Sequence, residues 1–343
     1  MVTDGPVPED RAESLRIVVT DPIISRFEEK LRTGGGTHRW DMAAAWSPER
    51  RLNALAGADV VVCSSLSPAE AEAASRARLV HVTGAGYDRI SFPHLAPSAL
   101  VANTFHHARP IAEHVLMLTL MLSRNVAAAD RAVRRGQWRT IATDGDVPFH
   151  PVLADLTLGL VGLGSIGAEV ARVAGAMGMK VRAVRRNPSA PLPEGVHLDR
   201  VGGNGELHTL LASSDVVVVT VPLDSGTKGM IGTAELAAMK PSAFLINVAR
   251  GPVVDQAALY SALAEGRIGG AGLDVWWGSP AEGVVPPAEF PFASLGNTVL
   301  TPHHSGHARI TFERRAGDIA ANIELLARGA ELMNLVPRPV PAT

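Results

Sequence analysis

The sequence predicts an α/β fold with two parallel-sheet units, and three observations carry that prediction. Short apolar, β-rich runs alternate with helix-like segments, this alternation occurs twice along the chain, and the runs are apolar on both faces. Strand, helix, strand at such spacing implies parallel pairing with helical crossovers. Strands covered by helices on both sides must be apolar on both faces, which sets them apart from half-exposed antiparallel strands. At 343 residues the chain has room for two domains of ordinary size.

The elements follow in order. The first residues, "MVTDGPVPEDRAES", are acidic and Pro-rich where a secretion signal would be basic and then apolar, so they read as a loose tail. "LRIVVT" (15–20), "ADVVVCSS" (58–65) and "ARLVHVTG" (77–84) read as buried strands, separated by helices over 48–56 and 68–76. Residues 110–124, "PIAEHVLMLTLMLSR", predict a long apolar helix with Pro110 at its start. A second series begins at "LTLGLVGLGSIG" (156–167) and continues with strands at 180–184, 215–222, 243–249, 270–276 and 297–301. One more helix, 306–328, comes too late to belong easily to the second sheet, so it is expected to return to the first unit. That makes the first domain discontinuous.

Composition narrows the partner classes. A net charge of −2 gives no electrostatic case for nucleic acid or an anionic membrane. The richest apolar stretch, Val115 to Leu122, is far short of the ~20 residues that span a bilayer. The one cysteine, Cys63, rules out an internal disulfide and fits a reducing cytoplasm. The expectation is a soluble cytoplasmic protein without a nucleic-acid or membrane partner.

"GLGSIG", comprising Gly162, Leu163, Gly164, Ser165, Ile166 and Gly167, matches G-x-G-x-x-G between an apolar strand and a segment of helical periodicity. In this context the first glycine allows the tight turn, the second lets a pyrophosphate approach the backbone, and the third lets helix and strand pack closely. The helix N-terminus adds free N–H groups and a positive dipole end. The motif therefore predicts a dinucleotide, NAD(P). The next strand ends in "AVRRNP", with Arg185 and Arg186 where an NAD site usually carries an acid. Two guanidiniums suit a 2′-phosphate, which favours NADP over NAD.

With that turn in place, "NVARGPVVDQAALYSAL" (247–263), "GGAGLDVW" (269–276), "TPHHSG" (301–306), "VTGAGYDRI" (82–90) and "PIAEH" (110–114) together resemble the D-isomer-specific 2-hydroxyacid dehydrogenase family over roughly residues 55 to 330. The resemblance implies two Rossmann-like domains. A flavodoxin-like substrate domain, 15–105 with 305–335, would flank a central dinucleotide-binding Rossmann domain, 106–304, with the active site in the cleft between them. It also implies a homodimer through about 124–150 and the reduction of a small 2-oxo acid, or the reverse.

The family pattern then gives roles by position. Arg250 would clamp the substrate carboxylate and polarise the carbonyl. His303 would be the acid/base. Gly84, Ala85 and Gly86 form a turn whose N–H groups can converge on the same small anion. Asp274 would lie near the nicotinamide amide, with Val221, Pro222, Thr227, Val248, His303 and Gly306 also on the cofactor side. The family's glutamate position, five residues after Asp274, is Ser279 here, with Glu282 as the alternative nearby acid. Trp276, Trp277, His106 and His107 could line the cleft.

"TPHHSGH" holds three histidines in five residues, which also raises a metal site. A pair at His303 and His307 would need both on one helix, yet His303 precedes the expected helix, and no Cys, Asp or Glu lies between 301 and 312. No metal is expected. Two further readings stay open: a dehydrogenase of formate, phosphite or a phosphonate, and a dinucleotide-sensing regulator without turnover.

Overall fold

Among the described residues, twelve strands form two separate all-parallel sheets, one of five strands and one of seven. The computed structural model describes residues 13–34, 36–278 and 288–338. The chain divides into a first unit, residues up to His106 and from Ala308 onward, and a second, His107–His307.

The first unit holds β1 (Arg16–Val19), β2 (Arg39–Met42), β3 (Val60–Cys63), β4 (Leu79–Val82) and β5 (Leu100–Ala102). Their order, β2-β1-β3-β4-β5, is the flavodoxin-like arrangement. Successive strand residues point to opposite faces. Val18, Val61, Cys63 and Val80 therefore feed one core, and Ile17, Val19, Val60, Val62 and Leu79 the other. The helix Arg309–Ala327 covers the second face with Phe312, Ala316, Ile319 and Ile323, a stripe at helical spacing. The helix Pro68–Ala73 starts where its sequence dictates: Ser67 accepts from Glu70 N, the Glu70 side chain accepts from Ser67 N, and Pro68 takes the first position.

The second unit holds β6 (Thr157–Val161), β7 (Lys180–Val184), β8 (Arg200–Gly202), β9 (Val216–Val219), β10 (Phe244–Asn247), β11 (Gly270–Leu273) and β12 (Thr298–Leu300). They run β12-β11-β10-β9-β6-β7-β8, the doubly wound order with one added edge strand. The order reverses between β6 and β9, and ligands of such sheets bind beyond the strand ends at that point. On one face Ile111, Ala112, Val115 and Leu118 of the helix Ala108–Ser123 meet Leu158, Leu160, Val170 and Val173. This helix begins two residues before Pro110, which sits in the first turn, where a missing N–H costs nothing.

β2, β5 and β8 were not expected from the sequence. All three are edge strands, and none is a fully buried apolar run: β2 is only partly buried, β8 ends in Gly202, and β5 is three residues long with Leu100 exposed. Among the described residues no helix is long and apolar enough to cross a membrane.

Candidate active site

The end of β6 turns through the glycine motif as a dinucleotide requires. Gly162 has φ +101°, and a Cβ there would sit 2.9 Å from Val221 Cγ1 and 3.1 Å from Val221 N. A Cβ on Gly167 would lie 2.4 Å from Gly162 O, so the helix Ser165–Ala176 presses directly on the turn. At Gly164 a Cβ would meet nothing within 4 Å, and the helix it caps receives no side-chain cap. Two positions are filled by the protein's own backbone and one is open, which is the space a pyrophosphate needs beside uncapped N–H groups. Thr220, at the end of β9, donates to Gly162 O (2.9 Å) and Val161 O (3.2 Å), tying the neighbouring strand to the turn. The only signal of Thr220 in the sequence is a hydroxyl interrupting the apolar run "VVVVTVP".

The arginine pair at the end of β7 divides its duties. Arg185 turns into the following loop, donating to the carbonyls of Pro188, Ala190 and Pro191. Its fork is spent on shaping that loop. Arg186 is 83% exposed and lies 3.4 Å from Asp224 Oδ2. The loop holding Asp224 is closed by Thr227, whose Oγ1 donates to Pro222 O (2.6 Å) and accepts from Asp224 N (2.9 Å). Val248 is buried in the core beneath, with Ile166 packed against the same cluster.

Beyond β11 lies Asp274, fully buried. It accepts from Thr301 Oγ1 (2.6 Å), His304 N (3.0 Å) and Ser305 N (2.9 Å). The aspartate thus clamps the loop that carries His303, which adopts a left-handed φ of +56°. Such a conformation is strained for a side-chain-bearing residue and persists only where its surroundings hold it. Burial raises the Asp274 pKa, but the hydrogen bonds from Ser305, Thr301 and His304 outweigh it and leave the carboxyl below its ordinary value. His114 Nε2 lies 3.1 Å from Thr301 Oγ1 and 3.8 Å from Asp274 Oδ1. Burial drives its pKa down, and that outweighs the pull of Asp274.

The three clustered histidines therefore part company. His303 is exposed, while the His304 ring packs edge-on against His114, with centroids 5.3 Å apart. Ligand atoms of His114, Asp274 and His304 fall within 4.8 Å of one another, a grouping that sequence spacing could not show because the residues come from distant segments. The Asp274 oxygens are already engaged by three donors, so the group reads as a loop clamp.

Arg250 follows β10 in extended conformation. Buried Asn247 holds its loop, donating from Nδ2 to Arg250 O (3.0 Å) and accepting from Ala249 N (3.1 Å). A Cβ on Gly251 would lie 2.2 Å from Trp276 O, so the loop packs on the segment after Asp274. Trp276 donates to Thr301 O (3.0 Å) and Trp277 to Val254 O (2.8 Å), the latter stacked on Phe292 at 5.2 Å. Both tryptophans are anchored as packing residues. Gly306 sits against His107 and Ile111. Ser279 and Glu282 lie outside the described residues.

In the first unit, the chain leaves β4 through Gly84, Ala85 and Gly86. The turn's carbonyls are held from below: Thr104 N donates to Gly84 O (3.4 Å) and Asn103 Nδ2 to Ala85 O (2.8 Å). Among the described residues no protein acceptor is found for its three N–H groups. Thr83 donates to Oδ2 of buried Asp21 (2.7 Å), whose Oδ1 accepts from Ile23 N and Ile24 N. His106 has φ +67°, with Nε2 2.7 Å from Asp318 Oδ2, so it is tied to its own unit. His107 is buried.

A family profile described as "D-isomer specific 2-hydroxyacid dehydrogenase, NAD binding domain" matches residues 116–305. The chain is similar to the glyoxylate reductase of Korarchaeum cryptofilum, 34% identical over 336 residues, spanning 95% of this chain and 96% of that protein. It is similar to the glycerate dehydrogenase of Methylorubrum extorquens, 33% identical over 295 residues, or 83% of this chain and 88% of the other. Among solved structures, the NADPH-dependent glyoxylate/hydroxypyruvate reductase of Sinorhizobium meliloti superposes with a TM-score of 0.75 at 27% identity, covering 94% of this chain and 98% of that one.

Proposed function

The chain belongs to the D-isomer specific 2-hydroxyacid dehydrogenase family, and from that premise we propose that it reduces a small 2-oxo acid to the D-2-hydroxy acid, with NADPH preferred over NADH. The observation that carries this reading is the Asp274 clamp, which fixes the His303 loop in the unit that also holds the open phosphate turn and Arg250. When bound, the reduced nicotinamide supplies the hydride. Arg250 grips the substrate carboxylate with its planar fork and polarises the adjoining carbonyl. His303 gives a proton to the carbonyl oxygen as charge develops there, and recovers it in the oxidation direction. Ser279 is the proposed hydrogen-bond partner of the His303 ring, since a hydroxyl can orient an imidazole without adding charge; Glu282 is the competing choice.

The NADPH preference is supported by exposed Arg186, because the Arg185 fork is taken by loop carbonyls. Pairing with a second copy through about 124–150 belongs to the same reading. Val133, Trp138, Ile141 and Phe149 are exposed by 55%, 73%, 53% and 84%, an apolar surface suited to burial against another subunit. A cytoplasmic location is also part of it, in keeping with a single buried thiol at Cys63. The names of the relatives speak for 2-oxo acids over formate, phosphite or a phosphonate.

The test is initial-rate kinetics with glyoxylate and hydroxypyruvate against each cofactor. NADPH should be oxidised with at least tenfold higher kcat/KM than NADH, and Arg186→Ala should erase about that factor, ~1.4 kcal/mol. Turnover of formate or phosphite but of no 2-oxo acid would overturn the reading. A wild type tenfold better with NADH would overturn the cofactor assignment alone.

A further inference from the structure

His114 has no part in the chemistry above, yet its polar partner is Thr301, two residues before His303. It lies on the helix Ala108–Ser123, whose Ile111, Val115 and Leu118 are buried in the core of the second unit. Its side chain is 9% exposed, and Nε2 lies 3.1 Å from Thr301 Oγ1. The backbone of Thr301 is fixed on both sides: its N–H donates to Leu273 O (2.9 Å), and its carbonyl accepts from Trp276 Nε1 (3.0 Å). What the fold leaves open at this residue is the direction of its hydroxyl. A hydroxyl has one proton to give. Asp274 Oδ1 lies 2.6 Å from Thr301 Oγ1, and its carboxyl, held below the ordinary value by the hydrogen bonds it accepts, is ionised at neutral pH. That separation is the length of a hydroxyl-to-carboxylate bond. With the Thr301 proton turned toward His114, two oxygens would face each other through lone pairs alone. The proton therefore goes to Asp274, and the ring must be the donor to Thr301, which places the His114 proton on Nε2.

We infer that His114 is a positioning residue for the proton step: by donating from Nε2 to Thr301 it locks the hydroxyl onto Asp274 and so holds the His303 loop in its working shape. The inference rests on the reading that His303 is the acid/base. The bonds run in one direction, from His114 to Thr301 to Asp274, which also accepts from His304 N (3.0 Å) and Ser305 N (2.9 Å). Each bond in such a chain polarises the next. One end is a helix packed into the core, and the other is the residue after His303, whose φ of +56° persists only under restraint. A neutral ring suits this duty, since it needs one donor and no charge. Burial pushes the His114 pKa down, His304 acts in the same direction, and together they outweigh the pull of Asp274.

Two substitutions separate the donor from the ring. His114→Phe keeps an aromatic ring against His304 and removes the donor, whereas His114→Gln removes the ring and keeps an amide N–H at the reach of Nε2. With glyoxylate and NADPH, His114→Phe should lower kcat by about 10- to 100-fold, the scale of a misplaced group in the chemistry, while the KM for NADPH stays near wild type. His114→Gln should recover most of that kcat. An unchanged kcat in His114→Phe overturns the inference, and so do equal losses in both variants, because packing would then be the cause. Two measurements stand apart from turnover. The His304 and Ser305 amide hydrogens should exchange about tenfold faster in His114→Phe and at the wild-type rate in His114→Gln. Nitrogen NMR of the wild type with ¹⁵N-labelled histidine should find His114 protonated on Nε2 and bare on Nδ1 at neutral pH. The opposite tautomer, or unchanged exchange in His114→Phe, overturns the inference whether or not a 2-oxo acid is reduced. The expected tautomer and exchange in a protein that reduces no 2-oxo acid would support the hold of His114 on the loop and defeat the reductase reading alone.

Discussion

Two glycine turns follow strand ends in this protein, and they are built on opposite principles. In Gly162–Gly167 the glycines are demanded by the protein itself: Gly162 needs its +101° φ, and Gly167 has a carbonyl oxygen 2.4 Å from where a Cβ would sit. In Gly84–Gly86 nothing crowds Gly84; its Cβ position has only the Arg315 guanidinium near it, at 3.9 Å. The first turn is written into the packing, so its spacing announces it. The second leaves its three N–H groups without a protein acceptor among the described residues, and no packing of its own fixes its glycine spacing.

The largest expected effect separates chemistry from both turns. His303→Ala should lower kcat by ~10²–10⁴-fold, the usual loss of a general acid, while NADPH titration shows affinity close to wild type. A loss of cofactor binding of similar size would mean that His303 supports the phosphate turn instead. The next variants compare the turns directly. Gly167→Ala forces a methyl against backbone and should destabilise by ~1–3 kcal/mol in urea melts, with weakened NADPH binding. Gly84→Ala should stay within ~0.5 kcal/mol in the same melts and show its cost only in the KM of the acid. Equal destabilisation by the two would erase the distinction drawn above.

The smallest effect concerns the Asp274 clamp. Its carboxyl titrates below the ordinary value, so it contributes stability at pH above the unfolded value of ~3.9 and loses that contribution as pH falls through the lower folded value. The stability gap between wild type and Asp274→Asn should be constant from neutral pH down to about 5 and should close below about 4. Urea melts across that range measure it, and a gap that widens in acid would show that the hydrogen bonds from Thr301, His304 and Ser305 do not favour the ionised form.

What the sequence made legible follows physical lines. Central strands such as Val60–Cys63 and Val216–Val219 are buried on both faces and so read as unbroken apolar runs. Arg39–Met42 is an edge strand, half covered, and its "RWDM" carries no such run. The glycine motif was legible because sterics require Gly162 and Gly167 locally. Arg185 was expected on a 2′-phosphate, but three carbonyls of its own loop take its fork, a choice set by a loop path that residue types do not encode. The joining of His114, Asp274 and His304 spans distant segments, so spacing around residue 301 was silent about it.

The first unit is closed by a helix made last. Its five strands lie before residue 106, and the helix that covers Ile17, Val19, Val60 and Val62 begins at Arg309. During synthesis at roughly 10 residues per second, the sheet would wait about 20 s for that helix while the intervening second unit emerges. Through that interval one apolar face of the sheet lacks its cover, and the second unit, whose elements are contiguous in the chain, can complete itself first. Birth order therefore runs against chain order. The nascent chain is most exposed to aggregation, and most in need of a chaperone, in the half that left the ribosome earliest.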